Sequence, residues 1–295
     1  MKAPTDKSND IIQIEVTRKC SLFNCSNCTR LLPFRKDTVE MSVDVFRQAL
    51  RSLEGWPGVR AMFGGTPCSH SRYPDLCQIM MEEVPDQRQR GLWTNSLRGH
   101  GEITRQTFYP HGRLNLNAHC NAADADEIER WLPGRLIRTS RDRASWHSSI
   151  LLDYRDYGLS DAEWVEAREN CDINRNWSAC IVERDGQPYA WFCEVASALD
   201  GVRGENNGIL AEPGWWRFKM DRFEHQVRNC CDRGCGVPLR RKGQLDTADT
   251  YDASKSFVPL TLKRKGRVEI VEQANLTEPV YEATDYQRLR AKSAH

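Results

Sequence analysis

The chain has 295 residues, 42 Lys and Arg against 41 Asp and Glu, a formal net charge of +1, 39% hydrophobic residues and 12 cysteines. That length buries a sizeable core without disulfide staples, and near-neutrality excludes a bulk electrostatic grip on nucleic acid, leaving only a local basic patch as a way to hold phosphates. No run of eighteen apolar residues occurs and residues 1–10 lack the apolar core of a signal peptide, so no membrane association and a cytoplasmic location are expected.

In a reducing compartment twelve cysteines are poorly explained as disulfides. Clustered ones point to metal ligation or catalysis, and isolated ones to small buried hydrophobes. Residues 11–17, rich in β-branched side chains, predict a strand that ends at Arg18-Lys19. Residues 42–53 open with Ser42 and carry Val43, Val45, Phe46, Ala49, Leu50 and Leu53, the pattern of a capped amphipathic helix stopped by Gly55 to Gly58. A strand over 59–63 runs into Gly64-Gly65, and a helix follows over 74–83. Short strands over 91–94 and 113–118, a helix over 124–132, a strand over 149–153 and a helix over 161–169 continue the alternation.

Strands alternating with helices predict parallel β/α units, so residues 10 to about 170 read as an α/β barrel or open sheet with its ligands at the carboxyl ends of the strands. After Cys171 the pattern changes. Residues 179–184 and 189–192, joined through Asp185-Gly186-Gln187-Pro188, predict a β-hairpin, since Asp-Gly supplies the positive φ of a tight turn. Residues 194–229 are mixed, and from about 247 the chain is polar, with one possible strand over 268–271.

Cys20, Cys25 and Cys28 leave the first strand on one loop. Three thiolates converging there suit an iron–sulfur cluster or a zinc site. A structural zinc would want a fourth ligand, and no Cys or His follows before Cys68; three ligands and one open position suit a cluster whose fourth iron binds something else. At this point the chain resembles the radical SAM superfamily. The resemblance rests on Glu15 to Cys20 leading into the cysteine loop, on Phe63-Gly64-Gly65-Thr66-Pro67 after the second strand, and on Trp93-Thr94-Asn95 after the third, in the family's order over roughly residues 11–155.

The resemblance implies a partial (β/α) barrel in which Cys20, Cys25 and Cys28 hold a 4Fe-4S cluster. S-adenosylmethionine would chelate the unique iron, and one electron from a donor such as flavodoxin or ferredoxin would split it to a 5′-deoxyadenosyl radical that takes hydrogen from the substrate. Gly64 and Gly65 would approach the methionine moiety, Thr66 would be a weaker polar contact, and Asn95 would contact the ribose or carboxylate. Two departures stand out: the cysteine spacing has one residue more than the family's C-x-x-x-C-x-x-C, and Thr66 stands where Glu is common. Alone, Gly64-Gly65 is an ordinary strand-to-helix turn and Asn95 a turn cap. Asn115, Asn117 and His119 alternate along the fourth strand and share one face, lining the barrel or facing solvent.

A second cysteine group resembles the SPASM or shorter twitch modules that follow many radical SAM cores. Asp185-Gly186 matches the hairpin turn, Cys193 the ligand after it, and Cys235 with Cys231 or Cys230 the later pair; the upstream ligand is Cys180, slightly preferred, or Cys171. The implied organisation is a radical SAM core over 1–170, a small cysteine-rich module with a β-hairpin and one auxiliary 4Fe-4S cluster over 171–246, and a polar extension over 247–295. Four thiolates would equally hold zinc. Cys68, Cys77 and Cys120 read as packing residues, with Cys68 close enough to the Gly-Gly turn to approach the site.

No peptide-recognition domain precedes the first strand, which favours a small molecule, sugar or nucleotide as substrate over a ribosomal peptide. Trp191, Phe192, Trp215 and Trp216 are candidates for stacking on it or for the core. The basic residues of 239–242 and 263–267 are candidates for phosphate contact or plain solvated loops. The different-class alternative is a zinc-stabilised binding module without catalysis.

Overall fold

A computed structural model describes residues 11–20, 28–32, 35, 38–116, 122–136, 159–169, 171, 178–233 and 235, with the side chains of 178 and 218–221 excepted. Seven strands form one sheet in the order β4-β3-β2-β1-β5-β6-β7. The strands are β1 (Ile11–Thr17), β2 (Val59–Gly64), β3 (Arg90–Thr94), β4 (Arg113–Leu116), β5 (Ser178–Arg184), β6 (Gln187–Trp191) and β7 (Ile209–Leu210). From β4 to β5 all pairings are parallel; β6 and β7 are antiparallel. The fold is mixed α/β on a mostly parallel sheet ending in an antiparallel hairpin, as the alternation of elements predicts.

Helices α1 (Val43–Ser52), α2 (Tyr73–Glu83), α3 (Gly101–Phe108) and α4 (Ala122–Trp131) connect the first strands and pack neighbour against neighbour. Ser42 caps α1, its hydroxyl accepting from Val45 N at 3.3 Å. Strand alternation sorts β1 into two faces. Ile12, Ile14 and Val16 enter the apolar core with Val45, Phe46, Ala49 and Leu50 of α1, while Gln13, Glu15 and Thr17 lie on the opposite, inner face. Register places Ala61 and Phe63 of β2 and Cys180 and Val182 of β5 on that inner face.

Helix α3 has no counterpart in the predicted elements. Its buried side consists of Gly101, Thr104, Thr107 and Phe108, so apolar periodicity is missing, and Gly and Thr are weak helix formers. Close packing explains the composition: a Cβ on Gly101 would lie 2.1 Å from the Trp131 ring, and the hydroxyls of Thr104 and Thr107 bond back to His100 O and Ile103 O at 2.8 Å each. Helices α5 (Asp161–Glu169), α6 (Glu194–Arg203) and α7 (Lys219–Cys230) complete the described set. The last two replace the mixed stretch expected over 194–229. Among the described residues no helix is long and apolar enough to cross a membrane.

The hairpin turn contains two residues, Asp185 at φ 50° and Gly186 at φ 72°, so Gln187 and Pro188 belong to β6 rather than to the turn. Its first strand pairs directly with β1, with Glu15 opposite Val182. The hairpin therefore extends the sheet of residues 11–116, and the division expected at 170–171 falls within one continuous sheet. The strand expected over 149–153, Cys25, Asn117, His119, Cys120, the basic segments at 239–242 and 263–267, and the possible strand over 268–271 lie outside the described residues.

Candidate functional site

Two backbone hydrogen bonds join the carboxyl end of β2 to the root of the cysteine loop: Gly65 N donates to Thr17 O at 2.9 Å and Thr66 N to Lys19 O at 2.6 Å. The glycines make this approach possible. Gly64 has φ +140°, and a Cβ there would stand 2.1 Å from Thr17 O; one on Gly65 would stand 2.1 Å from Lys19 O and 3.1 Å from the Cys20 Cβ. Thr66, fully buried, donates from Oγ1 to Asn95 Oδ1 at 2.6 Å and lies 3.9 Å from Cys20 Sγ. Cys20, Gly64-Gly65-Thr66 and Asn95 thus meet at the carboxyl ends of β1, β2 and β3. Cys20 and Cys28 are half-buried reduced thiols.

Gly65→Ala is expected to lower stability by about 1–3 kcal/mol through backbone overpacking against the loop root. Denaturant midpoints check this; an alanine variant equal to wild type would contradict the close approach.

Sequence reading missed a charged group on the inner face. Glu15 is buried; Arg18 donates from Nε to its Oε1 at 2.6 Å, Arg30 pairs with its Oε2, and Arg35 NH1 lies 3.5 Å from Oε2. Arg30 also bonds the backbone carbonyl of Glu194 and Ser197 Oγ, the latter at 2.9 Å, and sits 4.8 Å from the Phe63 ring centroid. Burial pulls its guanidinium down to about 10, which keeps it protonated at neutral pH. The available signal was Glu15 itself, an acid inside an otherwise β-branched strand.

The second cysteine group forms where three elements meet. Cys193 follows β6 and caps α6, Cys230 ends α7 with Cys231 in the next turn, and Cys171 follows α5. Asp232 ties α5 to this turn, its Oδ1 accepting from Trp164 Nε1 at 2.8 Å and Arg168 NH1 at 2.7 Å. Burial raises the Cys193 thiol well above its usual value, and Cys235 and Cys171 raise it further. Cys231 is raised by burial and then by Cys235, Cys193, Cys171 and Cys230. Cys171, Cys193, Cys231 and Cys235 therefore share one environment.

Cys180, favoured by spacing, stands apart. It is raised by burial and lowered by Arg30 and by Ser197 on α6, and so lies beside the inner-face arginine. Cys230 points to α6, its thiol 3.5 Å from Asp200 Oδ1. Burial raises Cys68 to about 12 and Cys77 to about 11, and both lie in the apolar core, as packing residues should.

Buried polar side chains hold the hairpin end against α6 and α7. Asp200, with no exposed surface, accepts from Trp191 Nε1 at 2.8 Å, Asn207 N at 2.7 Å and Asn207 Nδ2 at 2.8 Å. Gln226 of α7 accepts from Phe192 N at 2.9 Å and donates to Ala190 O at 3.1 Å and Asn207 O at 2.7 Å. Trp191, Phe192 and Trp215 are core residues, and Trp216 packs edge-on to Trp56 with ring centroids 5.2 Å apart, so the core reading of these aromatics holds.

Among the described residues, those of the second cysteine group included, no set of three or more His, Cys, Asp or Glu side chains is placed to hold a metal ion. No protein-family model matches the chain, and no curated protein matches it. Among solved structures it is similar to the crystal structure of BtrN in complex with AdoMet and 2-DOIA, at 15% identity and a TM-score of 0.43 over 77% of this chain and 93% of that one. It is also similar to SeMet BtrN in an open conformation, at 14% identity and a TM-score of 0.39 over 84% of this chain and 99% of that one.

Proposed function

We propose that the chain is a radical SAM enzyme acting on a small molecule, sugar or nucleotide. The observation that carries this reading is the meeting of Cys20, the Gly64-Gly65-Thr66 turn and Asn95 at the carboxyl ends of three adjacent parallel strands. That is where ligands gather on such sheets. Donor chemistry fits an iron–sulfur centre on Cys20, Cys25 and Cys28: the described thiols are reduced and half-buried, and a buried cation, Arg30, lies two residues past Cys28 with its Nε meeting no acceptor among the described residues. Bound there with S-adenosylmethionine, the cluster would supply reductive cleavage of the sulfonium C–S bond and a carbon radical that takes hydrogen from the substrate.

The chain's own residues do the positioning. Gly64 and Gly65 let β2 close on the loop root, which fixes where Cys20 points. Thr66 and Asn95 present a hydroxyl and an amide beside that thiol, and with no carboxylate at 66 the turn offers S-adenosylmethionine a neutral contact. By strand alternation Phe63 and Trp93 fall on the inner face of adjacent strands.

Cys171, Cys193, Cys231 and Cys235 are assigned to an auxiliary 4Fe-4S centre in place of the set containing Cys180. Burial and neighbouring thiols, Cys171 and Cys235 among them, raise Cys193 and Cys231, so a centre on these four would have to bring the positive charge that ionises them.

Anaerobic reconstitution with iron and sulfide, followed by reduction in the presence of S-adenosylmethionine, tests the reading. The expected result is 5′-deoxyadenosine from the wild-type chain and none from Cys20→Ala with an intact fold. Zinc uptake alone, with no cleavage, overturns it and favours the zinc-stabilised binding module.

A further inference from the structure

Residues 39–41 form a strap beside the carboxyl end of β1, bridged antiparallel to it at Thr17 and Glu40. Arg18 N donates to Val39 O at 2.9 Å and Met41 N to Val16 O at 2.8 Å, so one edge of the strap is bonded to the strand and its exit. The other edge meets the entry of α2. Glu40 accepts from Ser71 N at 2.6 Å and Ser71 Oγ at 2.9 Å, and pairs with Lys19 Nζ at 3.0 Å. Thr17 O and Lys19 O in turn accept from Gly65 N and Thr66 N, so strap, β1 end and Gly64-Gly65-Thr66 turn share one hydrogen-bonded frame.

His70, 4% exposed, closes that frame between strap and α2. Its Nε2 lies 2.9 Å from Met41 O, a carbonyl that can only accept, and its Nδ1 accepts from Arg72 N at 2.9 Å. A single form of the ring satisfies both contacts: neutral, with the proton on Nε2. A second proton would sit on Nδ1 and face the Arg72 N–H, donor against donor, so the imidazolium cannot keep both partners.

We propose that His70 is a pH-sensitive clasp: neutral, it pins the strap to the α2 entry and so holds the β1 end against the Gly64-Gly65-Thr66 turn; protonated, it releases the strap and loosens that junction. Every contact in it is made by this chain's own residues, so it stands apart from the reading of the cysteines. Among the described residues the charged groups acting on the ring are Glu40 from the strap, Lys19 from the β1 exit and Arg72 from the α2 entry, the last paired with Asp75. Burial lowers the ring below the ordinary histidine value, Met41 O and Glu40 oppose this, and Lys19 and Arg72 add to it. Burial pushes the Glu40 carboxyl up, but Lys19 and Ser71 more than offset it, so Glu40 stays ionised while His70 titrates. Because the clasped ring takes a proton less readily than a free one, the contribution of the clasp is complete above about pH 6.5, the ordinary histidine value, and is lost as the pH falls below it.

The test is amide hydrogen exchange of the full chain, read by mass spectrometry on a peptide spanning 64–66 and corrected for the intrinsic pH dependence of exchange. It compares wild type with His70→Gln, which keeps a side-chain donor for Met41 O and does not titrate. Wild-type protection is expected to fall by up to about tenfold between roughly pH 7.5 and roughly pH 5.5, the limit that linkage sets for one group with a free value of about 6.5, and to stay level in His70→Gln. A wild-type change of less than about twofold, or an equal change in His70→Gln, overturns the clasp. Nitrogen-15 NMR of the wild-type histidine rings decides the matter should His70→Gln fail to fold. A His70 proton on Nε2 at neutral pH with a titration midpoint below about 6.5 supports the clasp, and a proton on Nδ1 or an ordinary midpoint overturns it.

Discussion

Cys171→Ala is expected to halve the iron and sulfide carried by the reconstituted chain, while Cys180→Ala leaves both unchanged. The contrast follows from position. Cys171 is delivered to the second cysteine group by α5, which Asp232 clamps to the turn carrying Cys231 through Trp164 and Arg168. Cys180 sits in β5 opposite Gln13 on the inner face, next to Arg30 and beneath α6. A thiolate there would gain an arginine but no companion thiol as its nearest influence. Asp232→Ala should weaken the same centre less than Cys171→Ala does, because it loosens the delivery of one ligand and removes none. Metal analysis and the visible absorption of the reconstituted variants check both statements; equal iron in Cys171→Ala and wild type would contradict the assignment.

Asp200→Ala is expected to cost about 3–5 kcal/mol of stability and to abolish loading of the second cysteine group. Its buried carboxylate satisfies three donors, the buried indole of Trp191 and two on half-buried Asn207, and removing it orphans all of them at once. Asn207 in turn accepts from Gln226 and Asn229 of α7, so the loss spreads to the helix whose end carries Cys230 and Cys231. Asp200→Asn retains the shape and fewer of the acceptors, and should fall between alanine and wild type. Denaturant unfolding followed by circular dichroism reads the stability, and iron content reads the loading; an alanine variant within about 1 kcal/mol of wild type, the size of one ordinary hydrogen bond, would show that Asp200 is not the anchor.

Much of the fold was legible in the residues. Ser42 and the apolar stripe behind it mark α1 because capping and 3.6-residue periodicity are local properties. Asp185-Gly186 marks the hairpin because both positions need positive φ. Gly64 and Gly65 were recognisable as a strand-to-helix turn, but the close approach they make was not: the nearest atoms are the backbone of Thr17 and Lys19, more than forty positions away in sequence. Helix α3 was invisible because its buried face is glycine and threonine, a composition selected by the Trp131 ring it packs on. Cys171 and Cys180 were indistinguishable by spacing, since the helix that carries one and the strand that holds the other contribute nothing to a count of intervening residues.

By itself the sequence determined the alternation of strands and helices, the three-thiol loop after β1, the Gly-Gly turn, the tight hairpin and the near-neutral charge, all consequences of local chemistry. Only the tertiary structure decided that the hairpin joins β1 in one sheet, that Thr66 bridges Cys20 and Asn95, that Cys180 lies beside Arg30, and that Arg30 pairs with Glu15 and bonds the carbonyl of Glu194. Each of these is a contact between residues distant in the chain, made where parallel strands end together, and burial gives it its strength by removing the water that would otherwise screen it.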